Sequence, residues 1–220
     1  MIPWEPLGET VLPSGERMSL QRRGDEFALR VANVELMNSR QHGSEEALAT
    51  LAARAHGAPR TVLVGGLGMG FTLRAALDAL AGDARVTVAE LVPQVVEWNR
   101  TVLAHLAGDP LADRRVQVAV TDVAELLKGE PGRYDLILLD TDNGPEGTTQ
   151  DGNAWLYSTA GLAAARGALA PRGVLAVWSA FESAGFTKRL ARAGFTVSEE
   201  RVRARGSKGA RHVVWLARRA

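Results

Sequence analysis

The sequence predicts a doubly wound α/β domain with a mostly parallel sheet, an antiparallel C-terminal hairpin and a small β appendage in front. Three observations lead there. The apolar run Thr61-Val62-Leu63-Val64 enters a glycine cluster and is followed at once by a helical pattern, as a buried parallel strand, turn and helix would be written. From that point strand-like and helix-like segments alternate, which calls for crossover connections and a sheet covered on both faces. At the end, the strand-like runs Phe195–Arg203 and His212–Arg218 are linked through Gly206-Ser207-Lys208-Gly209, too short for a parallel return.

The elements follow in order. Residues 1–43 form the appendage: Met18–Arg23 and Phe27–Val31 alternate around Gly24-Asp25-Glu26 as a hairpin, and Val34–Ser39 adds a strand. So few residues cannot bury a core of their own. Residues 44–220 form the main domain. Ser44 is expected to cap a helix with Glu45 and Glu46 in its first turn, and Ala47, Leu48, Leu51 and Ala52 give the helical spacing. The strands are Thr61–Gly65, Arg85–Glu90, Arg115–Val120, Tyr134–Asp140 and Gly173–Ser179. The helices are Thr72–Leu80, Pro93–Leu106, Val123–Lys128, Thr159–Leu169 and Phe186–Ala193. Pro93 suits a first helical position, where its missing N–H leaves nothing unpaired.

Composition bounds the function. A chain of 220 residues buries a full core as one domain. With 26 Lys and Arg against 25 Asp and Glu, no global field favours nucleic acid or an anionic membrane. The absence of cysteine excludes disulfides, thiolate metal sites and cysteine nucleophiles. Met1-Ile2-Pro3-Trp4-Glu5-Pro6 lacks a secretion-signal pattern, and no apolar run approaches membrane-spanning length, so a cytoplasmic protein is expected.

An open parallel sheet binds its ligand at the carboxyl ends of its strands. There, Gly66, Gly68 and Gly70 form a turn in which missing Cβ atoms let backbone N–H groups approach a ligand. Glu90 ends the next strand about twenty residues on, the place of a ribose-binding carboxylate. Asp122 follows the third strand, to accept from an adenine amino group, to cap the helix at Val123, or both. Asp140 ends the fourth strand and Asp142 follows it, placed to orient a cationic amine or take its proton, although Asp142-Asn143-Gly144-Pro145 is also turn chemistry. Gln41 and His42 are expected at the pocket rim, and Trp155-Leu156-Tyr157 in the core. The basic positions Arg201, Arg203, Arg205, Lys208 and Arg211 read as a solvated edge strand, with a phosphate- or RNA-binding strip as the alternative.

A parallel sheet finished by an antiparallel hairpin is the layout of class I methyltransferase-like domains, and within that class the chain resembles the spermidine synthase family of aminopropyltransferases. Gly66-Leu67-Gly68-Met69-Gly70-Phe71-Thr72-Leu73-Arg74 is similar to the family's glycine loop followed by Thr-Leu-Arg. Asp142-Asn143-Gly144-Pro145 looks like a shortened form of the loop after its catalytic acid, and Leu156-Tyr157-Ser158 and Leu169–Leu175 resemble the run into its fifth strand. The resemblance implies an S-adenosylmethionine-type donor held by Gly66, Gly68, Gly70, Glu90 and Asp122, catalytic acids at Asp140 and Asp142, no metal, a small-molecule acceptor such as an amine, and a homodimer. Three departures stand out. Met69 replaces an aspartate of the family's loop, Ser44-Glu45-Glu46 stands where a Tyr-His-Glu element is usual, and one residue rather than two separates Asp140 from Asp142. Since Met69 offers no acid to the amino end of a decarboxylated donor, the expectation is a methyltransferase using S-adenosylmethionine. The alternative is an aminopropyltransferase using the decarboxylated donor, and the third is a non-catalytic nucleotide- or RNA-binding module.

Overall fold

The computed structural model describes residues 2–141, 144, 145, 151–205 and 208–220, with backbone alone at 151 and 152. Strands β1 (Glu5–Val11), β2 (Arg17–Arg23), β3 (Glu26–Val31) and β4 (Val34–Asn38) make an antiparallel sheet in chain order. Helix α1 (Gly43–His56) leads to β5 (Thr61–Gly65), α2 (Phe71–Ala79), β6 (Arg85–Glu90), α3 (Pro93–Arg100), β7 (Val116–Val120), α4 (Val123–Leu127) and β8 (Tyr134–Leu139). Then come α5 (Thr159–Ala168), β9 (Leu169–Ser179), α6 (Ala184–Arg192), β10 (Phe195–Arg205) and β11 (Lys208–Arg219).

The second sheet has the order β10-β11-β9-β8-β5-β6-β7. Its strands from β9 to β7 are parallel, while β11 runs antiparallel between β9 and β10. The doubly wound class, its antiparallel C-terminal hairpin and the N-terminal β sheet are therefore as the sequence predicts.

Alternation along each strand divides the interior into two cores. On β8, Leu136 and Leu138 enter one while Ile137 and Leu139 enter the other, as a side-chain period of two requires. The first core continues into the small sheet, where Leu20, Phe27 and Leu29 pack with Leu48, Met69 and Val95. The Phe27 ring also meets His105 edge-on at 5.5 Å, fixing the small sheet beside the segment after α3.

Three local expectations are corrected. Strand β1 carries no strand signal in the sequence, because it is a largely exposed edge strand with a bulge between Pro6 and Gly8, so no alternation marks it. Helix α3 stops at Arg100 rather than reaching Leu106: Thr101 turns its hydroxyl back to the Glu97 carbonyl, and a 3-10 turn at Ala104–Ala107 follows. Ser44 does not cap α1, which starts one residue earlier with His42 at the cap position and no side-chain cap. Among the described residues no helix is long and apolar enough to cross a membrane.

Candidate active site

A cavity of about 180 Å³ opens where β5, β6, β7 and β8 end. Its floor is Gly66, Gly68, Glu90, Asp122 and Asp140, and its roof is Met18, Leu29, Leu36 and Met37 of the small sheet. Two walls with different chemistry thus face each other, carboxylates below and aliphatic or thioether groups above.

The glycine turn is held from both sides. Gly66 N–H donates to Ala89 O (2.9 Å) and Asp140 N–H to Gly65 O (2.9 Å), which ties the turn to β6 and β8. Asn99, buried on α3, donates through Nδ2 to Gly68 O at 2.8 Å and Val95 O at 2.9 Å. A left-handed backbone (φ +91°) and a Cβ position only 2.5 Å from the Asp140 carbonyl oxygen leave Gly66 no room for a side chain. Gly68 has φ +52°, and its Cβ position would lie 2.8 Å from Met37 Sδ, so roof and turn touch here. Gly70 caps α2 at φ +85° without lining the cavity.

Glu90 is 8% exposed, so it is not a solvated strand-end acid. Its Oε2 accepts the Leu67 N–H at 2.9 Å and its Oε1 the Val92 N–H at 2.8 Å. Burial raises its pKa, and the backbone donors pull the other way. Each carboxylate oxygen accepts two hydrogen bonds, so a diol can still be received beside the backbone donors. Asp122 caps α4 by accepting the Ala124 N–H at 2.8 Å and lines the cavity as well, so its cap role and its place at the site coexist.

Asp140 is joined by an acid that sequence reasoning passed over. Glu45, 7% exposed on α1, lines the same cavity. The Thr72 hydroxyl, at the start of α2, donates to Asp140 Oδ2 and lies 3.4 Å from the Glu45 carbonyl. Burial, then the neighbouring Asp140 charge, push Glu45 up to about 7. Burial likewise raises Asp140 against the Thr72 hydrogen bond. Two carboxyls lining one cavity, with burial opposing the charge of each, do not both ionise readily without a cation between them. Glu45 Oε2 also accepts from Ser44 Oγ at 2.6 Å, and Ser44 Oγ is 2.8 Å from His212 Nδ1 on β11.

Other expected positions fall elsewhere. His42 stacks on Phe71 at 4.1 Å and bonds to Glu46, Gln41 is exposed, and neither lines the cavity. Asp142 lies outside the described residues. Leu156 and Tyr157 are buried, as a core reading expects, and the Tyr157 hydroxyl donates to Thr141 O at 3.0 Å, steadying the residue after Asp140. On the hairpin, Arg201 pairs with Glu182 and Arg203 donates to Gly209 O. Among the described residues no acid–histidine cluster has a metal-binding arrangement.

Residues 41–192 match the spermine/spermidine synthase domain. The chain belongs to that family. It is 34% identical over 104 residues to polyamine aminopropyltransferase 2 of Pseudomonas aeruginosa, an overlap covering 46% of this chain and 30% of that protein. It is 31% identical over 108 residues to the polyamine aminopropyltransferase of Thermococcus onnurineus, covering 49% of this chain and 38% of the other. The matched stretches thus span about a third of these relatives' length. In fold, spermidine synthase from Thermotoga maritima superposes over 98% of this chain and 73% of its own with a TM-score of 0.78 at 18% identity. A spermidine synthase solved with the transition-state analogue AdoDATO gives 0.77, at 18% identity over 98% of this chain and 72% of that one.

Family membership and the names of these relatives overturn the expected methyltransferase. The physical reason is Met69. Its side chain is 0% exposed within the first core and does not line the cavity. The missing acid at that position therefore says nothing about which donor the cavity receives.

Proposed function

We propose that this spermine/spermidine synthase family member is an aminopropyltransferase, with decarboxylated S-adenosylmethionine as donor and an amine as acceptor. The observation that carries the reading is that two carboxyls, the buried Glu45 and the part-buried Asp140, line one cavity. A single orienting carboxylate suits many acceptors, but Glu45, whose pKa is raised by burial and then by the Asp140 charge, calls with Asp140 for a cation. An ammonium group placed between them restores both charges and is desolvated at little net cost.

The residues present fit an adenosyl donor. Gly66 and Gly68 have no side chain to obstruct close approach, Glu90 has acceptor capacity for a ribose diol, and Asp122 lies at the same floor. The donor supplies a sulfonium-bound carbon open to displacement. In the transfer, the acceptor nitrogen gives up a proton to the acid pair and uses its freed electron pair to form the new C–N bond. The C–S bond breaks, its electron pair stays on sulfur, and methylthioadenosine leaves as a neutral thioether. Glu45 and Asp140 orient the amine and take its proton; the glycine turn sets the distance between the two substrates.

The test is release of methylthioadenosine from decarboxylated S-adenosylmethionine with putrescine and a panel of other amines. Wild type should turn over at least one amine, and Asp140→Asn should lose activity by about 100-fold or more, the usual scale for a positioned acid–base group. No release from wild type across the panel rejects the proposal.

A further inference from the structure

Ser44 is fully buried in the first turn of α1, where a serine normally caps the helix or returns its hydroxyl to a backbone carbonyl. It does neither. Its hydroxyl donates to Glu45 Oε2 at 2.6 Å and sits 2.8 Å from His212 Nδ1, a residue 168 positions away in sequence. His212 is half-buried on β11, and the Trp178 ring, itself a cavity-lining residue of β9, packs against the imidazole edge-on at 4.8 Å and 73°. An unbroken line of hydrogen-bonding groups therefore joins a partly solvent-facing imidazole to one member of the acid pair.

We propose that His212, acting through Ser44, is a positioning residue that drains the acceptor's proton from the acid pair. The inference rests on the reading of the cavity as an amine-transfer site. The step balances. The acceptor ammonium gives its proton to the Glu45 carboxylate. Once Glu45 is protonated, the Ser44 hydroxyl turns from Oε2 to the unprotonated Nδ1 of the Nε2–H tautomer of His212. Glu45 passes its proton to Ser44 Oγ as Ser44 passes its own to Nδ1, the imidazolium loses the Nε2 proton to water, and exchange with solvent returns the ring to the Nε2–H tautomer. Glu45 is thereby restored as a carboxylate for the next acceptor. Burial lowers the His212 pKa, which favours the neutral imidazole over the imidazolium.

The surroundings of the line bear on its titration. His212 faces Ser44 and, through it, Glu45 from α1, the Trp178 ring from β9, and Val202 opposite it on β10. Arg211 adjoins it on its own strand, with Arg203 across the ladder. Glu45 in turn feels Asp140 and, more weakly, Glu46. A histidine kept only for packing needs Ser44 as a partner and no connection beyond it.

Two measurements test the line. The first compares Ser44→Ala, Ser44→Thr and His212→Asn with wild type, each checked for folding by circular dichroism, using the methylthioadenosine assay. Ser44→Ala and His212→Asn should lower kcat by about 10- to 100-fold with the acceptor KM within about twofold, and added imidazole or concentrated buffer should restore part of the rate. Ser44→Thr, which keeps the hydroxyl, should retain most of it. Unchanged kcat in Ser44→Ala and His212→Asn, or a loss confined to KM, overturns the proposal. The second is independent of turnover: nitrogen NMR of the His212 imidazole across pH. Wild type should show a second titration step at the Glu45 transition that vanishes in Glu45→Gln and in Ser44→Ala. A wild-type imidazole blind to Glu45 overturns the line whatever the kinetics; the step present without turnover of any amine removes the amine reading and leaves the coupled line standing.

Discussion

Removing one carboxylate from the acid pair should make the protein more stable, and only at alkaline pH. Glu45 is buried beside Asp140, and its pKa is raised from 4.5 to about 7. A carboxyl whose folded pKa lies above its unfolded value binds more protons in the folded state between those two values, so stability falls as pH rises through that window. A displacement of about 2.5 units at about 1.36 kcal/mol per unit sets a ceiling near 3.4 kcal/mol on that loss. The amide of Glu45→Gln can still accept from Ser44 but brings an N–H group needing its own partner, at a cost of about 1 kcal/mol. Glu45→Gln is therefore expected to gain about 2 kcal/mol at pH 8.5, or roughly 4–8 °C in Tm for a chain of this size, and to gain nothing at pH 5, where the native carboxyl is already protonated. Urea and thermal unfolding of both proteins at the two pH values measure this. A variant destabilised equally at both, or a wild type whose stability does not decline between them relative to the variant, refutes the electrostatic account of the pair.

Three further predictions follow from the geometry. Gly66→Ala combines a left-handed φ with a Cβ 2.5 Å from the Asp140 carbonyl, so it should lower unfolding stability by about 3 kcal/mol and abolish donor binding in calorimetry. Gly68→Ala meets only the flexible thioether of Met37, so it should cost about 1–2 kcal/mol, part of which Met37→Ala restores in a double-mutant cycle; strict additivity would refute the contact. Asp122→Ala should cost about 1 kcal/mol through the lost cap whereas Asp122→Asn costs a few tenths, and denaturant midpoints that place the two together would remove the capping role.

The architecture was legible in the sequence because its strongest signals are local: a buried run into glycines, alternating elements, and a link too short for a parallel crossover. The strand-end acids were legible for the same reason, since Glu90, Asp122 and Asp140 owe their place to the ends of recognisable strands. In the sequence Glu45 reads as a first-turn acid complementing the helix dipole. It shares the i, i+3, i+4, i+7 spacing with Leu48, Ala49 and Ala52, all buried, and a carboxylate on an apolar helical face is the signal that would have found it. Trp178 and His212 could not be found this way, because their juxtaposition depends on β11 inserting antiparallel between β9 and β10, a register no single segment encodes. Met69 misled for a related reason: its place in the turn was readable, the direction of its side chain was not.

The contact between Met37 and Gly68 makes the small sheet a structural part of the cavity. Its strands share one core with α1 and α3 and carry the roof on their inner face. A ligand seated against the floor is therefore also seated against β2, β3 and β4. Its binding free energy is distributed over amide groups that make no chemistry with it, and their hydrogen-exchange rates become a remote readout of occupancy. Substitutions on the exposed face of that sheet, away from Glu45 and Asp140, act on ligand residence time through how tightly the roof is held down.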